Sequence, residues 1–153
     1  MTRRADVVLR PARRDESDAV ADLWLAARAA AVPAIPRAVH DDGEVRRWFA
    51  DVVFGSARQV LVAEENGRLV ALLVLDDPTV EQLYVHPDRT GQGIGSRLID
   101  LAKRGRQFLE LRTFQSNAGA RRFYERHGFV ATWTTDGDNE ERAPDVGYEW
   151  RRG

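Results

Sequence analysis

Leu83-Tyr84-Val85-His86-Pro87-Asp88-Arg89-Thr90-Gly91-Gln92-Gly93-Ile94-Gly95-Ser96 is the stretch that decides the fold of this 153-residue chain. A strand feeds a glycine-rich turn, and the turn opens an amphipathic helix whose apolar stripe is Ile94, Leu98, Leu101 and Ala102. Glycines without a β-carbon let the backbone turn tightly and come close to a ligand. The first N–H groups of a helix have no internal partner and point along the positive end of its dipole. Together these features form a binding site for a phosphate or diphosphate, although the same glycines also suit an ordinary turn. Two common phosphate loops are excluded. The dinucleotide fingerprint needs a third glycine where Ser96 stands, and the Gly-Lys-Ser/Thr of a P-loop occurs nowhere.

Working outward, Thr79 to Val85 is the strand that enters the turn, and Gly105 ends the helix that leaves it. Upstream, Gln59 to Glu65 and Arg68 to Leu75 flank Asn66-Gly67, a strong hairpin signal because both turn positions need positive φ. Earlier still, Val7 to Leu9 reads as a first strand. Val20, Leu23, Trp24 and Ala27 then form the stripe of a first helix, which the prolines of residues 31–39 break. A second helix starts near Asp41-Asp42, with Val45, Trp48, Phe49 and Val52 as its apolar side. Downstream, the pattern predicts a strand at Gln107 to Thr113, a helix at Asn117 to His127 stopped by Gly128, and strands at Phe129 to Thr135 and Val146 to Trp150. Hairpins combined with crossover helices imply an α/β architecture of α+β character, a mixed sheet with helices on its faces. No repeat or linker divides the chain, so residues 1–153 read as one domain.

A second motif follows the first: Asn117-Ala118-Gly119-Ala120-Arg121-Arg122-Phe123-Tyr124-Glu125-Arg126-His127-Gly128-Phe129. Asn117 and Tyr124 are two helical turns apart and face one direction, whereas Phe123 and His127 lie on another face. With both motifs in this order, the chain resembles the GNAT superfamily of acetyltransferases. Gly93 and Gly95 occupy the last two places of that family's Gln/Arg-x-x-Gly-x-Gly/Ala pattern, and Thr90 stands where Gln or Arg is usual. Arg89, next to it, offers a charge. The Asn117 to Phe129 stretch resembles the family's second motif, and the resemblance implies a GNAT-like fold with a mostly antiparallel, splayed central sheet.

That resemblance also implies roles. Acetyl-CoA would lie with its diphosphate on main-chain donors of Thr90, Gly91, Gln92, Gly93, Ile94, Gly95 and Ser96, and with its pantetheine arm on backbone groups of Leu83 and Val85. A backbone N–H near Val85 would face the developing oxyanion. Tyr124 would act as general acid to the CoA thiolate, and Asn117 would bond the cofactor or position the helix. Transfer to an amine requires the neutral amine, so a base or a water chain must take a proton. Glu81 is the candidate, directly or through water, because strand alternation places Glu81, Leu83 and Val85 on one face and Gln82 and Tyr84 on the other. His86 is the rival by chemistry, though His-Pro favours a loop.

Composition narrows the remaining choices. The chain is 43% hydrophobic and 31% charged with a formal charge of −1, which leaves no global basic field for nucleic acid or an anionic membrane. Cysteine is absent, which excludes disulfides and thiolate chemistry, and His40, His86 and His127 lack metal-ligand spacing, so no metal is expected. The longest apolar run, Leu69 to Leu75, falls far short of a membrane span. No apolar stretch follows Arg3-Arg4, so the expectation is a cytoplasmic protein. Residues 31–44 and 136–145 are expected to build the acceptor pocket for a small-molecule or peptide amine. The carboxylates of the second segment read first as an exposed polar loop, and Trp48, Trp133 and Trp150 as core. A homodimer is compatible with an open C-terminal sheet edge. Two other functions compete with acetyl transfer: a catalytically weak acyl-CoA sensor, and a nucleotide-binding regulator using the same glycines.

Overall fold

A computed structural model describes residues 6–153, so the Arg3-Arg4 pair lies outside the described residues. The elements follow the expected order: β1 (Val8–Pro11), α1 (Ser17–Ala31), α2 (Asp42–Arg47), β2 (Gln59–Glu65), β3 (Arg68–Asp76), β4 (Thr79–Val85), α3 (Ile94–Lys103), β5 (Phe108–Phe114), α4 (Ala118–Arg126), β6 (Val130–Thr134) and β7 (Asp145–Arg151). The strands form one sheet in the order β1-β2-β3-β4-β5-β7-β6, and only β4 and β5 run parallel. Asn66 and Gly67 adopt φ of 52° and 78° at the predicted hairpin. Asp41 caps α2 in a reciprocal box with Glu44, and the helix continues as a wider π-helical stretch, Trp48–Val53.

The sheet is buried on both faces. Val20, Leu23, Trp24, Val45 and Phe49 pack with Val62, Leu72 and Val74 on one side. Leu98, Ile99, Tyr124 and Phe129 pack with Leu73, Leu109 and Tyr148 on the other. A central strand covered on both faces explains the unbroken apolar run of β3. At the entry to α1, Arg10 forks onto Glu16 with two 2.8 Å hydrogen bonds. This contact, chiefly, pulls the Glu16 carboxyl from its ordinary 4.5 to about 2. A depressed folded-state pKa stabilises above the unfolded value, so this contribution is complete above pH 4.5 and is lost as pH falls toward 2. Urea unfolding should therefore show Glu16→Gln less stable than wild type by on the order of 2 kcal/mol at pH 6, with the curves converging near pH 2. A constant offset across that range would exclude the ion pair as its cause.

Two departures from regularity position the functional region. The first is a splay: β4 and β5 share the single register pair Thr79↔Glu110, with the Glu110 N–H donating to the Pro78 carbonyl, and then diverge. The second is a bulge in β4. Val74 pairs with Gln82 but Leu75 pairs with Val80, which leaves Glu81 as the extra residue. The expectation that Glu81 shares a face with Leu83 and Val85 fails for this reason. Val80 packs into the same cluster as Leu83 and Val85 despite the odd spacing, while Glu81 opens onto the same cavity as Gln82 and Tyr84.

Candidate active site

The turn after β4 is open. Gly91 and Gly93 hold φ of 75° and 81°, both are exposed, and no atom lies within 4 Å of where a side chain would start on either. Gly93 caps α3 without a side-chain hydrogen bond, and the first helical bond runs from the Arg97 N–H to the Gly93 carbonyl at 3.1 Å. The N–H groups of Ile94, Gly95 and Ser96 precede that bond, as the first donors of any helix do. Ile94 is buried, so it offers the site only its backbone. Thr90 and Gln92 are exposed. Ser96 contributes main chain as well, since its hydroxyl is 2.9 Å from His127 Nε2. Burial and the nearby Lys103 charge push the His127 pKa down, which favours the neutral ring in this contact. Arg89 does not turn to the loop; its guanidinium is held by Glu65 at 2.8 Å.

Beside the turn runs an unpaired strand edge. The His86 N–H donates to Val70, so in β4 the even-numbered residues nearest the turn bond to β3. Backbone groups alternate sides in an antiparallel pair, hence those of Leu83 and Val85 point to the gap that β5 leaves. The third wall is α4. A β-carbon at Gly95 would lie 3.5 Å from Phe123 and 3.6 Å from Val85, so turn, strand edge and helix meet at one place. Asn117 caps α4 by accepting from the Ala120 N–H at 3.2 Å, and it borders the cavity at the helix start. His86 Nδ1 accepts from the Asp88 N–H at 3.1 Å, a turn-capping arrangement rather than a free base.

Tyr124 follows Asn117 by two turns. Its ring sits among Phe123, Phe129 and Tyr148, with centroids at 5.2, 5.6 and 6.3 Å. Among the described residues its hydroxyl has no hydrogen-bond partner, yet it is not one of their sealed, unpaired polar atoms; those are Arg28 Nε and Arg106 Nε. The ring is therefore core and the oxygen is reachable. Burial pushes its pKa well above the usual phenol range, with a smaller contribution from Tyr84, which lines the cavity on the acceptor side. At neutral pH this phenol keeps its proton.

Glu81 is engaged by Arg58, whose Nε and Nη2 both donate to the carboxylate. It borders a cavity of about 440 Å³ together with Tyr84, Asn117, Arg28 and Arg112. A second cavity, about 710 Å³, shares Arg28, Gln82, Glu140 and Glu141 with the first and continues along Trp24, Trp48 and Val52. Residues of the two segments expected at the acceptor side, 31–44 and 136–145, line these cavities. Asp138 and Glu140 are exposed, as expected of a polar loop, and with Glu141 they also border the cavities. One side-chain reading needs correction. Of Trp48, Trp133 and Trp150, only Trp150 is buried; Trp48 is half-buried, packing against the core cluster while it lines the larger cavity, and Trp133 is 40% exposed, lying flat over Gly147.

Sequence reasoning missed Arg28, Gln82 and Tyr84. Arg28 left a signal, a charge one turn after Trp24 on the apolar side of α1. Among the described residues no cluster of His, Asp and Glu could hold a metal ion, and no helix is long and apolar enough to cross a membrane.

Comparisons with known proteins identify relatives of this chain. Residues 56–131 match the family model described as an acetyltransferase (GNAT) domain. The chain is 28% identical to the peptidyl-lysine N-acetyltransferase YiaC of Escherichia coli, over 80% of this chain and 82% of that one. It is 36% identical over 84 residues to an uncharacterized N-acetyltransferase of Methanocaldococcus jannaschii, a match that spans 37% of that protein. Among solved structures, apo YjaB of Escherichia coli superposes with a TM-score of 0.75 at 20% identity, covering 95% of this chain and 97% of that one. The yncA protein of Salmonella typhimurium, determined with acetyl-CoA, superposes with a TM-score of 0.70 at 24% identity, covering 96% and 94%.

Proposed function

Because this chain belongs to the GNAT superfamily of N-acetyltransferases, we propose that it moves an acetyl group from acetyl-CoA to an amine at the gap between β4 and β5. The observation that carries this reading is the meeting of three features at Gly95: open helix-start donors, the free edge of β4, and the helix that bears Tyr124. When bound, acetyl-CoA supplies the acetyl group as a thioester open to attack by an amine. The residues suit it chemically. Main-chain N–H groups between Gly91 and Ser96 match a diphosphate, and the outward backbone groups of Leu83 and Val85 match the amides of a pantetheine arm. A Val85 N–H aimed into the gap suits an oxyanion.

Tyr124 holds a proton at Oη and donates it to the departing sulfur. Its raised pKa makes that transfer uphill against a thiolate in water, but the same burial raises the proton affinity of a thiolate within the gap. Glu81, anchored by Arg58, receives the amine's proton through water. The anchor keeps the carboxylate at the cavity wall and the bulge keeps it on the acceptor side.

Release of free thiol from acetyl-CoA, followed across a panel of amines, tests the reading. Amine-dependent release is expected, and Glu81→Gln should lower kcat/KM about 10-fold. Tight acetyl-CoA binding without release for any amine would favour an acyl-CoA sensor instead. Equal competition by nucleotides lacking a pantetheine arm would favour a nucleotide regulator.

A further inference from the structure

Arg28 is the one basic residue on the buried side of α1, only 9% exposed. Its Nη2 donates to the Pro36 carbonyl at 3.1 Å and its guanidinium lies 5.1 Å from the Trp24 ring centroid, while Nε has no hydrogen-bond partner. Arg106, whose Nε is also without a hydrogen bond, has Asp77 at 3.4 Å. No carboxylate among the described residues forms an ion pair with Arg28. A buried guanidinium lacking a counter-charge is strongly unfavourable unless something else supplies one.

The position of Arg28 says what that is. It borders both cavities, where they join beside Gln82, Glu140 and Glu141. On one side lies Tyr84, whose pKa burial raises and the neighbouring Arg28 charge lowers; on the other lies the apolar wall of Trp48 and Val52. The Gln82 side chain is fixed there by the Trp24 indole N–H at 2.9 Å.

We propose that Arg28 binds the carboxylate of the acceptor, and that the acceptor is a free α-amino acid with a large apolar side chain. The assignment rests on acetyl transfer to an amine as the activity of this gap. The guanidinium takes the carboxylate in a charge-assisted, forked contact. The amine lies toward Glu81 and Tyr124, and the side chain lies against Trp48 and Val52. The ammonium first loses a proton through water to solvent. The neutral nitrogen then gains the acetyl carbon as the C–S bond breaks, its second proton leaves through water toward Glu81, and the sulfur takes one from Tyr124. The proton gained by Glu81 returns to Tyr124 through solvent. A polyamine would set a second cation against Arg28 and Arg112, and an internal lysine of a peptide would bring no carboxylate to the buried charge. The mixture of two arginines with acidic residues around one space matches a zwitterion.

L-phenylalanine, L-phenylalaninamide and phenethylamine, each with saturating acetyl-CoA, separate these cases by thiol release. Wild type should prefer phenylalanine over the amide by about 30-fold in kcat/KM, even though the amide's amine is the less basic and more often neutral. Arg28→Met should bring that ratio close to unity through KM, and Arg28→Lys should retain part of it. An amide turned over as well as the amino acid by wild type would overturn the assignment. So would an Arg28→Met protein slowed equally on all three compounds, the mark of a purely structural arginine. Thiol release with none of them would count against the acetyltransferase reading. Calorimetry on the CoA-loaded wild type then decides the assignment alone: phenylalanine bound more tightly than the amide sustains it, and equal or absent binding ends it.

Discussion

Replacing Tyr124 with phenylalanine lowers kcat by about 10²-fold while the affinity for acetyl-CoA changes by no more than roughly twofold. The substitution removes one oxygen and leaves the ring where Phe123, Phe129 and Tyr148 hold it. That oxygen bonds to nothing among the described residues, so no hydrogen bond with them is lost and stability should hardly move. A rate effect at constant stability therefore isolates the proton donation. The pH dependence adds a second reading. A phenol whose pKa is raised by burial keeps its proton through and beyond the ordinary range near 10, so the wild-type rate should show no alkaline fall assignable to Tyr124 below that pH. Turnover by Tyr124→Phe equal to wild type at saturating substrates would remove Tyr124 from the mechanism and leave the departing sulfur to take its proton from water.

Local patterns carried the fold because they are set by neighbours in the chain. Asn66-Gly67 specifies its turn by backbone sterics alone, and Gly91, Gly93 and Gly95 place an open turn ahead of an amphipathic helix without reference to the rest of the molecule. Asn117 and Tyr124 share a side of α4 because helical spacing requires it. What was not legible depends on how distant strands and loops meet. The bulge at Glu81 is a mismatch between β3 and β4, and alternation read from β4 alone sent that side chain to the wrong face. Nor could the sequence say that Glu140 and Glu141 come to border the same space as Trp48, since the packing of loops against α1 and α2 decides it. Arg28 was visible in principle: a charge within an apolar stripe conflicts with simple core packing, and such local conflicts tend to fall at functional sites.

Gly93→Val should weaken acetyl-CoA binding by about 10²-fold, since misaiming one or two charge-assisted bonds of roughly 1.5–3 kcal/mol each is enough. At φ of 81° Gly93 occupies a region that a β-branched residue adopts only under strain, although the surrounding space is empty. The strain, about 1–2 kcal/mol, relaxes most easily by rotating the turn, and that rotation redirects the N–H groups of Ile94, Gly95 and Ser96. Gly105→Val is the matched control. Gly105 holds φ of 72° in equally open space at the far end of α3, so it should lose a similar few degrees of Tm with acetyl-CoA affinity intact. The pair separates strain from binding. If both variants lost stability and neither lost affinity, the glycines would be a plain turn, and the main-chain cradle for the diphosphate would have to be abandoned.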